Sequence, residues 1–292
     1  MTQRQVNESQ LPAGTRIGAA RLAVIDLDRV EGFYREALGL ERLDRTDDAV
    51  TLGTLRAPLL RLEAGATQLP SRGEPGLYHL AFLLPERADL GAWLLHVSEL
   101  AVPLQGAADH AVSEAIYLAD PEGNGVEVVR DRPREAWPLR DGRTAMTTDP
   151  LDLDALTAAV TGPWTAAPEA TTLGHVHLQV ADVGRSTRFY ADALGLPRTA
   201  IDVPMASFLG AGGYHHHLGL NSWQVRTAAR GDAGTSGLRS FELLLPGAEA
   251  LAQTVERLTA HGIMVRSVGP AVEVVDPDGT AVHLVVSQAT PS

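Results

Sequence analysis

The sequence contains no cysteine, which removes disulfides, thiolate nucleophiles and every cysteine-based zinc or iron–sulfur site. Any metal has to be held by histidine, carboxylate or carbonyl ligands. Aromatic residues make up only 5% of the chain, so a small-molecule pocket is expected to be lined mostly by aliphatic side chains. Lysine and arginine number 24 against 36 aspartate and glutamate, a formal net charge of -12, and no basic run offsets it. A nucleic-acid duplex would be repelled, so no nucleic-acid partner is expected. No apolar run approaches the ~18 residues of a membrane span, and the opening MTQRQVNESQ lacks the apolar core of a signal peptide. A cytoplasmic protein with no membrane partner is expected. What remains is 292 residues of ordinary globular composition, 45% hydrophobic and 21% charged, long enough for two domains at about 150 residues each.

The chain repeats itself. Phe33-Tyr34-Arg35-Glu36-Ala37-Leu38-Gly39-Leu40 returns as Phe189-Tyr190-Ala191-Asp192-Ala193-Leu194-Gly195-Leu196, 156 residues later. Asp120-Pro121-Glu122-Gly123 returns at the same offset as Asp276-Pro277-Asp278-Gly279. Between these markers the apolar strand ending at Pro85 matches the one ending at Pro246, a shift of 161, so the second copy carries a local insertion. Each half reads as two smaller units. Arg21–Asp26 is strand-like, and Leu27–Leu40 has helical periodicity ended by Gly39, as helices commonly are. Thr51–Leu62 follows as short strands. A second unit runs from Tyr78–Leu84 through a helical Leu90–Leu100 to strands at Ile116–Ala119 and Val126–Arg130. The second half repeats the order, with Tyr214–Leu220 among its strands. The reading is an α+β chain of four βαβββ modules, with one two-module domain over 15–130, a linker over 131–172 and a second domain over 173–287. Leu151–Val160 is expected to form a connecting helix while the rest of the linker wraps the surface.

The openings GHVHLQVAD and FYADALGL and the strand DPEGNGVE resemble the vicinal oxygen chelate superfamily, which holds glyoxalase I, fosfomycin-resistance proteins and type I extradiol dioxygenases. The segments DHAVSEAIYLADPEGNGVEVVRDRPREAW and GGYHHHLGLNSW are most similar to the two-domain catechol 2,3-dioxygenase type found in bacilli. The resemblance covers roughly residues 17–130 and 173–287. It implies cupped sheets of paired modules around a divalent metal, with ligands at the start of a module's first strand and near the Glu of its last strand. Carried over position by position, it implies His79, Glu127 and His175 as ligands. Their counterparts in the other half are Ser240, His283 and Ala19, so neither half alone has the full set. The ligands are complete only if module two faces module three. That crossed pairing is the expectation, with one working site and one degenerate site. Two His and one carboxylate suit Fe(II) oxygen chemistry, with Mn, Zn or Ni as alternative metals.

His215-His216-His217 falls on an expected strand, where successive side chains alternate faces, so one or two of the three should enter the pocket. By the resemblance His216, with His217 its close rival, is the acid/base; an imidazole's ordinary pKa of about 6.5 suits proton transfer near neutrality. The resemblance also implies a catalytic Tyr117 and a substrate-reaching His110, while His177, two residues beyond His175 and so on the same strand face, is expected either to face the substrate or to support the ligands from behind. The expected activity is extradiol cleavage of a small aromatic substrate by O2, in a protein that could form a homodimer. A glyoxalase-like metal-dependent lyase or isomerase and a non-catalytic small-molecule binding protein are the alternatives. The isomerase chemistry wants a carboxylate base at the metal, where this sequence offers histidines.

Overall fold

The computed structural model of the chain describes residues 10–287. Module one comprises β1 (Arg16–Val24), α1 (Leu27–Glu36), β2 (Glu41–Arg45), β3 (Ala49–Thr54) and β4 (Ala57–Ala64). Module two repeats it as β5 (Gly76–Leu83), α2 (Arg87–Glu99), β6 (Leu104–Asp109), β7 (Ser113–Ala119) and β8 (Gly125–Asp131). The connecting segment holds a small hairpin, β9 (Leu139–Arg140) and β10 (Arg143–Thr144), and one short helix, α3 (Leu153–Thr157). Module three is β11 (Thr172–Gln179), α4 (Val183–Arg188), β12 (Ala206–Leu209) and β13 (Leu218–Asn221). Module four is β14 (Gly237–Leu245), α5 (Ala248–Ala260), β15 (Arg266–Val268), β16 (Ala271–Val275) and β17 (Ala281–Val286).

The sheets pair modules crosswise. One has the order β15-β16-β17-β14-β1-β4-β3-β2, joining module four to module one, and the other has β12-β13-β11-β5-β8-β7-β6, joining module three to module two. The seams are the antiparallel pairs β1 with β14 and β11 with β5. A single apolar cluster runs through both sheets, with Leu22, Leu60, Phe82, Leu178 and Leu243 fully or almost fully buried.

The helices, in contrast, bind consecutive modules. Tyr34 of α1 donates its buried hydroxyl to Asp120 at 3.4 Å, and Tyr190 donates to Asp276 at 2.9 Å. The two repeated sequence markers are thus bonded to each other in each half. The acid two residues further along each turn grips the chain ahead of the same helix. Glu122 accepts from the backbone of Ile25 and Asp26 at 2.7 and 2.9 Å, and Asp278 from that of Ala181 at 3.3 Å. At the other helix end, Trp93 and His96 of α2 meet the carbonyls of Ala37 and Glu36 at 2.8 Å each. Arg257 of α5 donates likewise to the carbonyls of Ala193 and Leu194 at 3.2 and 2.6 Å. Helix termini leave such carbonyls unpaired, and the next module satisfies them.

Three features depart from the sequence reading. Module three lacks its first strand after the helix: Pro197 and Pro204 bracket the stretch and remove ladder donors, leaving isolated bridges from Arg198 to Leu209 and from Ala200 to Thr144. Its helix also changes pitch, passing at Phe189–Ala193 into a π-helical turn. The connecting helix spans Leu153–Thr157 rather than Leu151–Val160, starting where the Asp152 side chain accepts from Ala155 N at 2.9 Å.

One glycine sets the spacing on which the site depends. A Cβ on Gly125, at the start of β8, would lie 1.9 Å from the Tyr78 carbonyl oxygen and 3.1 Å from the His79 Cβ. Gly125→Ala is therefore expected to push β8 off β5. The predicted loss is about 1–3 kcal/mol, read as a fall in thermal midpoint of several degrees with weakened metal retention.

Candidate metal centre and its pocket

Two rows of side chains meet on one face of the seven-stranded sheet. In the first, His175 on β11 lies opposite Ala81 on β5, Ala81 lies opposite Glu127 on β8, and Glu127 lies opposite Tyr117 on β7. In the second, Gly219 on β13, His177 on β11 and His79 on β5 are aligned. Residues two apart on a strand share a face, so His79 and Ala81 point the same way. The Ala81 methyl leaves space between three larger groups.

Those groups converge. The Nε2 atoms of His79 and His175 each lie 2.8 Å from the Glu127 carboxylate and 3.3 Å from each other. All three residues are buried, and they are the one such cluster of potential metal ligands among the described residues. With metal–ligand distances of about 2.1 Å, three ligands on one octahedral face stand about 3.0 Å apart. The observed edges fit that face. Burial opposes ionisation of Glu127, but the two imidazoles outweigh it by charge and hydrogen bonding and hold the carboxyl well below its usual range.

The centre opens into a cavity of about 630 Å³, within the range of small-molecule sites. Tyr117, His110, His177 and His216 all line it. Tyr117 OH stands 2.6 Å from His110 Nε2 and 3.3 Å from Glu127, and His110 Nδ1 lies 2.6 Å from the Thr147 carbonyl. A carbonyl only accepts, so His110 carries its proton on Nδ1 and, when neutral, accepts the Tyr117 hydroxyl's hydrogen bond at Nε2. Burial first, then the Glu127 charge, raises the Tyr117 pKa well above its ordinary value and keeps the phenol protonated. His177 accepts from the Asn221 amide at 3.0 Å, and burial keeps it neutral. Its ring folds over Gly219, where a Cβ would lie 2.7 Å from Cγ.

The histidine run differs from its expected form. His215, His216 and His217 precede β13, which begins at Leu218, and do not alternate along a strand. All three are buried in an irregular turn. His216 lines the cavity with its ring centroid 4.2 Å from that of His175. His217 turns elsewhere: its Nδ1 accepts from Ala211 N at 3.1 Å and its ring packs on Tyr214. His215 connects His216 to a carboxylate, with Nδ1 to Nδ1 at 2.8 Å and Nε2 to Asp131 at 3.0 Å. Asp131 also accepts from Tyr214 OH at 2.7 Å. A neutral His215 bonded to Asp131 through Nε2–H has only an acceptor left at Nδ1. His216 then donates from Nδ1, and its Nε2 keeps a free lone pair. Burial, then the neighbouring imidazoles, lowers the His216 pKa well below the ordinary value and favours this neutral form.

The wall is also less aliphatic than composition suggests. Tyr78, Tyr117, Phe208 and Trp223 line it with the histidines, so aromatics form a larger share of this wall than of the chain. Met146, Thr147 and Thr148 of the connecting segment form part of it, a contribution that no motif marked. Asp131 had a signal: it lies four residues beyond Glu127 on β8, hence on the same face. The degenerate counterpart holds no comparable cluster among the described residues. There His283 bonds Glu273 at 3.1 Å, Ser240 is buried, and Ala19 donates its backbone N–H to Glu242 at 3.0 Å.

The sequence profile of the Glyoxalase/Bleomycin resistance protein/Dioxygenase superfamily matches residues 16–128 and 172–284. The catechol-2,3-dioxygenase of Bacillus subtilis (strain 168) is 38% identical over 269 residues, covering 90% of this chain and 94% of that protein. A crystal structure from Bacillus subtilis subsp. subtilis str. 168 superposes with a TM-score of 0.64 at 14% identity, covering 95% of this chain and 86% of that one. Glyoxalase I from Zea mays superposes with a TM-score of 0.58 at 18% identity, covering 94% and 92%. No helix of the described residues is long and apolar enough to cross a membrane. With the profile matched in both halves, this chain belongs to the glyoxalase/bleomycin resistance protein/dioxygenase superfamily.

Proposed function

We propose that the protein is an Fe(II)-dependent extradiol dioxygenase that cleaves a catechol-type ring with O2. The observation that carries this reading is the convergence of His79, His175 and Glu127 on one face, with edges of 2.8, 2.8 and 3.3 Å, at the inner wall of the cavity. His79, His175 and Glu127 would hold the ion, leaving its remaining positions open. Ferrous iron bound there would supply a Lewis acid and a route for electrons between a bound catecholate and O2. The chain's own residues do the rest. The rings of Tyr78, Phe208 and Trp223 flank the cavity and hold an aromatic substrate in place by apolar contact. His216, with a free Nε2, takes a proton from a substrate hydroxyl and can return it to product. His110 and Tyr117 offer a second proton-bearing pair on the opposite wall.

The B. subtilis relative named catechol-2,3-dioxygenase supports the reaction class. The cavity also argues against the lyase or isomerase alternative, because Glu127 is the sole carboxylate among its lining residues. With Glu127 on the metal, none is left to serve as base. The test is oxygen uptake by anaerobically Fe(II)-loaded protein on addition of catechol or 4-methylcatechol, with absorbance of the ring-cleaved product. Stoichiometric uptake is expected. Retained iron with no uptake across a panel of bulkier catechols would overturn the proposal in favour of binding alone.

Asp131→Asn probes the tautomer assignment. Two donors, Tyr214 OH and His215 Nε2–H, meet the two carboxylate oxygens, and an amide has one oxygen for both. If the amide nitrogen faces His215, the proton positions reverse through both rings and His216 loses its free lone pair. A fall in kcat of roughly 10–100-fold is expected, below the full value of a general base, with iron content unchanged.

A further inference from the structure

A second cavity, of about 500 Å³, adjoins the first and shares Leu77, Gly123, Gln179 and Gln224 with it. Its walls carry Arg72, Arg226, Arg230 and Arg239 against a single carboxylate, Glu74. In a chain of net charge -12, that is a local reversal of sign. The two inner arginines spend their donors on uncharged oxygens. Arg230 bonds Thr280 Oγ1 at 2.9 Å and the Leu238 carbonyl, and Arg239 bonds the carbonyls of Ala233, at 2.7 Å, and Thr235. Asp276 and Asp278 attract Arg230, and Asp232 and Glu63 attract Arg239, but burial, together with repulsion from Arg239 and Arg21 respectively, outweighs them and lowers both guanidinium pKa values. A guanidinium held this way gains from an anion brought into the cavity.

An independent observation points to a ligand. Ser236, 5% exposed and lining the cavity, keeps a buried hydroxyl with no partner among the described residues. The Gln179 side-chain oxygen, on the wall between the two cavities, is also buried and unpartnered. Buried polar groups are nearly always satisfied: an anionic ligand oxygen would accept from the Ser236 hydroxyl, whereas the Gln179 oxygen calls for a donor elsewhere on the ligand. Gln179 lies on β11 four residues beyond His175, on the same face and about 13 Å along the strand at 3.3–3.4 Å per residue. One molecule can therefore reach from the metal centre into the arginine cavity if it carries a side chain of several methylenes.

We propose that the arginine cavity is an anion subsite for a carboxylate or phosphate at the end of the substrate's side chain. The inference rests on the dioxygenase reading, since it places the catechol ring at the other end. It defines the substrate class as acidic alkylcatechols.

The test compares 4-alkylcatechols bearing a terminal carboxylate, with increasing methylene spacers, against their methyl esters in Fe(II)-loaded protein. Glutarate is the ring-free control. The acid is expected to exceed its ester by about tenfold or more in kcat/KM at the optimal spacer, by the strength of charge-assisted bonds. In the double variant Arg72→Gln/Arg226→Gln, whose positions are exposed, that preference should fall toward unity while turnover of 4-methylcatechol is unchanged. Arg230→Gln, read alongside by circular dichroism, provides a second variant. Equal acid and ester rates in the wild type, with neutral catechols turned over, overturn the subsite and leave the dioxygenase reading standing. If no catechol is turned over, that reading fails and calorimetry with the acid decides: heat abolished by the double variant upholds an anion site, and no heat overturns it. Glutarate binding as tightly as the best acid overturns the tethered side chain and assigns the cavity to a free dianion.

Discussion

Glu127→Ala protein is expected to come through purification without its metal and to consume no oxygen with any catechol. The carboxylate touches both Nε2 atoms at 2.8 Å, so its removal takes away one of three groups and the only negative charge at the centre. Altering a partner that merely orients a ligand costs roughly 10–100-fold in metal affinity, and deleting a ligand should exceed that. Two imidazoles 3.3 Å apart would then face each other with no anion between them. Metal analysis after dialysis against a mild chelator, together with oxygen uptake, reads the result. Wild-type iron content and full turnover in this variant would remove Glu127 from the ligand set.

His216→Asn should separate proton transfer from metal binding. His216 contacts the ring of His175 but is not one of the three converging groups, so iron content should be unchanged. An asparagine keeps polarity and approximate volume but cannot take up a proton near neutrality. A general acid or base contributes typically about 10²–10⁴-fold, and kcat is expected to fall by that order with KM moving little. His217→Asn is the contrast. Its ring serves the Ala211 backbone, and it should lower thermal stability while leaving kcat nearly intact. A His216→Asn enzyme within about threefold of wild type would reassign proton transfer to His110 and Tyr117, since this loss would then fall short of a general base.

Much of this arrangement was legible in the residues. The repeat offset, the helix beginning at Leu27, and the strands around Ile116 and Val126 all appear near their expected positions, because apolar period and glycine stops are local signals. The absence of a full ligand set in either half also led to the crossed module pairing seen in the two sheets. Less legible were the short outer strands β2, β6 and β15, whose residues are largely exposed and carry little apolar alternation. The turn that holds His215–His217 depends on Asp131 and Thr199, distant in sequence, and periodicity has no access to such contacts. Aromatic content failed as a guide to the pocket for a simpler reason. A whole-chain average says nothing about where Tyr78, Phe208 and Trp223 gather.

The crossed sheets also change what an ion at this centre would do for the molecule. His79 and Glu127 come from the first half and His175 from the second, and they meet across the seam between β5 and β11. An ion held there would be a clip across the seam between modules two and three as well as a reagent. Whatever binds the assembled state alone adds its binding free energy to the stability of that state. Metal loss and separation of the halves are therefore linked: chelation would loosen the seam, and mechanical strain on the seam would weaken retention of the metal.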